Sequence, residues 1–89
     1  MVYSVHLAPA AERQLKALDK PVRARIVRRL RKFEETPRPQ GVEKLSGPDD
    51  LYRIREGEYR IIYTIKDKEL MVLVVKIGHR KDVYRGLSQ

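Results

Sequence analysis

No cysteine occurs in this 89-residue sequence, which excludes a disulfide, a thiolate nucleophile and a thiolate-held metal. Histidine is confined to His6 and His79, too few for a histidine-built metal centre. No apolar run is longer than residues 70–75, far short of the roughly 20 residues that a membrane-spanning helix needs. The first six residues carry neither the basic start nor the long apolar stretch of a secretory signal, so a cytoplasmic protein is expected. There are no internal repeats, low-complexity segments or interdomain linkers, and residues 1–89 read as one domain. Hydrophobic residues make up 42% and charged residues 36%, the balance of a soluble globular domain with one core.

Acids are scarce too: 12 Asp and Glu face 20 Lys and Arg, a formal net charge of +8 at pH 7. The excess is uneven. Residues 13–32 hold nine bases and one acid, Asp19, and so carry +8 by themselves. Residues 33–50 sum to −3 and residues 51–89 to +4. Arginine outnumbers lysine 12 to 8, and its planar fork suits bidentate contact with phosphate or carboxylate. Such a field favours nucleic acid, an acidic protein partner or an anionic membrane surface. A merely solvated helix face is the alternative.

The hydrophobic pattern predicts β-α-α-β-β-β. Residues 2–7 alternate as a short strand, and Pro9 stands where the first turn of a helix tolerates it. Ala11, Leu15 and Leu18 form one stripe on a helix of about three turns. Pro21 ends that helix and suits the start of a second. In the second, Val22, Ile26, Leu30 and Phe33 share a face, while Arg23, Arg25, Arg28, Arg29 and Lys32 cover the rest. Two prolines and a glycine within residues 36–41 stop it, and a connecting loop runs on to residue 50. Strands are expected over 51–55, 59–66 and 69–77, with hairpin tips at Glu56-Gly57 and Asp67-Lys68. The fold class is therefore α+β, with the helices on one face of a small, mostly antiparallel sheet.

A two-residue tip at Glu56-Gly57 opposes Arg53 to Arg60 and Arg55 to Glu58. Arg53, Arg55 and Arg60 then gather on one side of the sheet. Like charges directly opposed cost a few tenths to about 1 kcal/mol, a cost that an anionic ligand bridging the guanidiniums would offset. Otherwise these side chains splay into water or pair with Glu56 and Glu58. After the last strand come Gly78, which frees the backbone to turn, and His79, Arg80 and Tyr84, side chains able to act on a phosphodiester; for His79 a surface histidine at a strand end is the alternative. Tyr52, Tyr59 and Tyr63 are expected to pack in the sheet rather than to stack on bases.

Leu51-Tyr52-Arg53-Ile54-Arg55, Glu58-Tyr59-Arg60-Ile61-Ile62-Tyr63 and Gly78-His79-Arg80-Lys81-Asp82-Val83-Tyr84 resemble the RelE/ParE toxin superfamily. The helical pair around Pro21 and the 37–45 loop fit as well, so the resemblance covers nearly the whole chain. It is closer to the RelE branch, small ribonucleases without metal or other cofactors, than to the gyrase-poisoning ParE branch.

The resemblance implies cleavage of messenger RNA in the ribosomal A site. The ribose 2′-hydroxyl attacks the neighbouring phosphate, leaving a 2′,3′-cyclic phosphate and a 5′-hydroxyl. By that resemblance Arg60 binds the phosphate, Arg80 stands near the leaving group, and Tyr84 is a base or a base-stacking group. Arg53 and Arg55 match two positions that are lysines in the best-known RelE type. A guanidinium binds phosphate but does not serve as a general base. Arg53, Arg55 and Lys81 are thus read as phosphate-binding, and the base as Tyr84 or neutral His79. Arg23, Arg25, Arg28, Arg29 and Lys32 are read as docking ribosomal RNA or a small acidic RelB-like antitoxin in a hetero-oligomeric complex. Only five residues follow Tyr84, too few for a full further helix. A ParE-type gyrase poison and a non-catalytic RNA-binding module are the rival readings.

Overall fold

A computed structural model describes residues 2–45, 47 and 50–84. In chain order these form β1 (Ser4–Leu7), α1 (Pro9–Lys16), α2 (Lys20–Lys32), β2 (Glu43–Lys44), β3 (Tyr52–Glu56), β4 (Tyr59–Lys66) and β5 (Met71–His79). The strands make one five-stranded sheet in the order β1-β5-β4-β3-β2. All neighbours are antiparallel except β1 and β5, which run parallel. The expected α+β arrangement is therefore present, with one strand more than the sequence suggested. That strand, β2, is only two residues long and lies in the stretch read as a loop. Residues 46, 48 and 49 of the expected loop and the five residues after Tyr84 lie outside the described residues.

Both helices begin with proline in the first turn, Pro9 in α1 and Pro21 in α2, where no backbone N–H is missed. The first is shorter than expected: it closes at Ala17, and Leu18 bonds back to the Leu15 carbonyl as the chain turns toward α2. Ala11, Ile26, Leu30 and Phe33 then press on Ile54, Ile61, Tyr63, Val72, Val74 and Ile77 of the sheet. The Phe33 and Tyr63 rings lie 4.3 Å apart at the centre of this layer. Beyond the end of β1, the Gln14 side-chain oxygen accepts the Ile77 N–H at 2.8 Å, so α1 completes the hydrogen bonding of the β5 edge.

The first hairpin closes one residue later than expected. Glu56 pairs with Tyr59, Arg55 with Arg60 and Arg53 with Ile62, which makes Gly57-Glu58 the tip. Gly57 has φ +60°, and Glu58 does not share the positive φ. This is the II′ pattern, with glycine at the first central position, and its twist matches that of the strands. The pairing differs from expectation by two residues, an even number, so every side chain keeps its face. The β4–β5 connection is a 3₁₀ turn, Asp67–Glu69, followed by Leu70 at φ +51°, rather than a two-residue tip.

In β5 the alternation breaks. Ile62 pairs with Lys76 but Tyr63 with Val74, which leaves Val75 as an extra bulged residue. Before the bulge Val72 and Val74 face the helices; after it Ile77 and His79 do. The opposite face carries Arg53, Arg55, Arg60, Ile62, Lys76 and Gly78.

A second cluster closes the other end of the sheet. Arg38, just after α2, donates two hydrogen bonds to the Asp67 carboxylate, at 2.8 and 3.1 Å. Asp67 also accepts from the Tyr3 hydroxyl at 2.8 Å. Arg38 lies over the Tyr52 ring, which stacks on Tyr63 at 5.8 Å. The Tyr63 hydroxyl donates to the Pro37 carbonyl at 2.8 Å, and burial pushes its pKa up. Tyr52 and Tyr63 are thus packing residues, as expected.

Candidate functional site

The site lies on the sheet face that the helices leave uncovered. Alternation along β3 and β4 puts Arg53, Arg55 and Arg60 there, with Arg55 directly opposite Arg60. Ile62, wholly buried yet outside the helix-side core, floors the patch between Arg53 and Lys76. The chain after β5 folds back over the same face. Amides of Asp82 and Val83 donate to the His79 carbonyl, at 2.9 Å each. Val83 is thereby buried within van der Waals distance of the position that a Cβ on Gly78 would take.

Gly78 therefore does something other than expected. It is an extended strand residue opposite Arg60, and its missing side chain makes room for Val83. The turn itself is made by residues 80–84. That turn brings the Tyr84 hydroxyl to the Arg53 guanidinium, which donates to it. The Arg53 guanidinium carbon lies 5.8 Å from the centre of the Tyr84 ring.

The four arginines of the site differ in how they are held. Arg60 is 8% exposed, and its Nη1 donates to the Gly57 and Tyr59 carbonyls at 3.1 and 3.0 Å. It is a fixed charge that also clamps the hairpin tip. Arg53 bridges Tyr84 on one side and the Glu43 carboxylate on the other. Arg55 is exposed and makes no ion pair among the described residues. Arg80 stands at the rim, its Nε 3.0 Å from Glu58 and its backbone N–H bonded to the Glu58 carbonyl at 2.8 Å. Lys81 is exposed in the same turn, its amide donating to His79 Nδ1 at 3.2 Å.

The alternative in which Glu56 and Glu58 pair with Arg53, Arg55 and Arg60 is not what forms: Glu56 faces the helices and pairs with Arg29 at 2.9 Å, and Glu58 pairs with Arg80 at the rim. One sequence-based expectation needs correction: His79 does not join Arg53, Arg60 and Tyr84. The Val75 bulge turns it to the helix side, where its ring meets the Tyr59 ring edge-on at 5.7 Å. Its Nε2 is 4.0 Å from Glu58, at the strand end rather than in the patch.

The cationic helix is likewise only partly available. Arg23 donates to the Lys16 carbonyl at the end of α1, and Arg29 holds Glu56. The Arg25 guanidinium lies over Gly57. Arg28 and Lys32 are exposed, and their side chains make no hydrogen bond or ion pair among the described residues. Sequence reasoning missed Glu43. Its signal was weak, one acid in a segment with prolines and glycine, and only the β2–β3 pairing, which sets Glu43 opposite Arg53, reveals it.

Among the described residues no cluster of His, Asp or Glu has the makings of a metal site, and no helix is long and apolar enough to cross a membrane. What the patch can do is hold a phosphate against several guanidiniums, with an aromatic ring and a carboxylate at its edge.

The chain and its fold have counterparts among known proteins. Residues 5–84 match the family described as the ParE toxin of type II toxin-antitoxin systems, parDE. The mRNA interferase toxin RelE of Escherichia coli K12 is 30% identical over 83 residues, 91% of this chain and 86% of that protein. A chain of the archaeal RelE–RelB complex of Pyrococcus horikoshii OT3 superposes with a TM-score of 0.80 at 31% identity, covering 93% of this chain and all of that one. A chain of the Mycobacterium tuberculosis toxin–antitoxin complex RelBE2 superposes with a TM-score of 0.81 at 25% identity, covering 92% and 95%. A family match over most of the chain, RelE-named relatives and a shared fold converge: the protein belongs to the RelE/ParE superfamily of type II toxins, in its RelE-like branch.

Proposed function

We propose that the protein is an mRNA interferase that cleaves message in the ribosomal A site and is neutralised by a RelB-like antitoxin. The observation that carries this is the gathering of Arg53, Arg55 and Arg60 with Tyr84 on the sheet face free of helices. In-line attack of a 2′-hydroxyl builds charge on the phosphorane oxygens, and guanidiniums already fixed in place stabilise it without reorganisation. Arg60 supplies the fixed charge, Arg55 the accessible one, and Arg80 at the rim the charge beside the departing 5′-oxygen. Tyr84 offers its ring to a base next to the scissile phosphate. No cofactor is called for by this chemistry.

The exposed bases of α2, Arg28 and Lys32 first, with Arg25 over the hairpin tip, are assigned to ribosomal RNA or to the antitoxin. Ribosomes as target place the work in the cytoplasm. Purified protein with programmed ribosomes is expected to yield cut message ending in a 2′,3′-cyclic phosphate, and free message is expected to stay intact. Arg80→Ala is expected to lower the rate by about 100-fold or more, the usual loss for one electrostatic donor. Intact message on ribosomes with the wild-type protein defeats the proposal.

A second reading, poisoning of DNA gyrase, is favoured by one observation: the matching family model is described as ParE. Inhibited supercoiling without RNA cleavage selects it.

A further inference from the structure

We propose that Glu43 is the general base of this reaction, accepting the proton of the attacking 2′-hydroxyl; the inference rests on the mRNA interferase reading. Attack by a hydroxyl needs a proton acceptor within hydrogen-bond reach. The residues first expected to serve leave the role open. Arg53 and Arg55 keep their protons at neutral pH, so neither accepts one. His79 faces the helix side, against Tyr59. The Tyr84 oxygen is engaged as the acceptor of a hydrogen bond from Arg53.

Among the described residues Glu43 is the carboxylate that meets Arg53, whereas Glu58 is held at the rim by Arg80. Glu43 sits directly across β2–β3 from Arg53, and such opposed residues project to one side of the sheet. Both flanks of β2 are tied down: the Val42 amide bonds the Pro39 carbonyl at 3.1 Å and the Leu45 amide bonds the Leu51 carbonyl at 2.8 Å. Val42 also packs against the core. The carboxylate is thus built in by the backbone, while its own side chain is 60% exposed.

With Gly41, Arg53 and Arg55 it lines an open depression of about 340 Å³, and the space beside Gly41 is empty. One carboxylate oxygen, Oε1, meets Arg53, which leaves Oε2 to take the proton in this proposal. A ribose seated there has its phosphate on the Arg53 and Arg55 side and its 2′-hydroxyl on the Glu43 side.

The step balances without an added reagent. The 2′-hydroxyl proton passes to Oε2 of Glu43 as the bond from the 2′-oxygen to phosphorus forms. The bond from phosphorus to the 5′-oxygen breaks, and that oxygen takes a proton from water. Protonated Glu43 then returns its proton to water, which restores the carboxylate.

The test is single-turnover cleavage on programmed ribosomes, with wild-type protein alongside and a thermal melt to verify folding. Glu43→Gln, which keeps the shape and removes the acceptor, is expected to cut about 100-fold more slowly with KM nearly unchanged. Glu43→Asp, which keeps a carboxylate, is expected to retain more of the rate. A message with sulfur in place of the scissile 5′-oxygen, a far better leaving group, is expected not to restore Glu43→Gln. Glu43→Gln cleaving as fast as wild type, or faster because the carboxylate only competes with phosphate for Arg53, overturns the assignment. So does rescue by the sulfur substrate, or Glu43→Asp no faster than Glu43→Gln. Those outcomes leave the interferase reading standing, whereas wild-type protein that leaves message uncut removes the reading and the base together.

Discussion

Single residues here act through partners the sequence does not display, and Asp67 is the clearest case. The hydrogen bonds from Arg38 and then from Tyr3 hold its carboxyl down at about 2, below the ordinary 3.8. A carboxyl more acidic in the folded state stabilises the fold fully above its ordinary value, and that stability is lost as pH falls through the folded value. The melting temperature is therefore expected to fall between pH 4 and pH 2. Asp67→Asn is expected to melt lower than wild type above pH 4 and to converge with it near pH 2, read by circular dichroism melts across that range. Curves that stay parallel down to pH 2 contradict the assignment. Arg60 illustrates the same dependence on partners. Its motif in the middle strand was legible, but its bonds to two carbonyls of the hairpin tip were not. Replacing it removes a turn clamp as well as a charge.

At the scale of elements, periodicity served wherever alternation was unbroken. Of the stripe expected in the second helix, Ile26, Leu30 and Phe33 at the end of α2 are buried and Val22 is half-buried. The β3–β4 hairpin was mispaired by two residues, yet Arg53, Arg55 and Arg60 still share a face, because strand alternation repeats every two residues. Where one residue is inserted, the same rule inverts the answer, and Val75 sends His79 to the helix side. Gly57 fixes the true tip. A Cβ there must adopt φ +60° and would stand 3.2 Å from the Arg25 guanidinium. Gly57→Ala is expected to cost about 1–2 kcal/mol in urea unfolding, the usual penalty of the left-handed region. It is also expected to disturb Arg60, whose Nη1 binds the Gly57 carbonyl.

Across the whole molecule, one face is for stability and the other for charge. The helix-side layer packs Ile26, Leu30 and Phe33 against Ile54, Ile61, Tyr63 and Val74 and leaves the far side of the sheet uncovered. Phe33→Ala, at a fully buried position against Tyr63, is expected to lower unfolding free energy by about 3–5 kcal/mol. A loss under 1 kcal/mol in urea titration contradicts this packing. By itself the sequence determined the class of fold, the face on which the arginines stand and the excess of positive charge, since all three follow from spacing and composition. Only the tertiary structure decided which of those charges are available. Arg23 and Arg29 are drawn inward to a carbonyl and to Glu56, Arg28 and Lys32 stay exposed, and Glu43 comes to Arg53. The physical reason is that hydrogen-bond and ion-pair partners lie far apart in the chain. Local periodicity fixes the side of an element on which a residue stands, but only packing fixes what stands opposite.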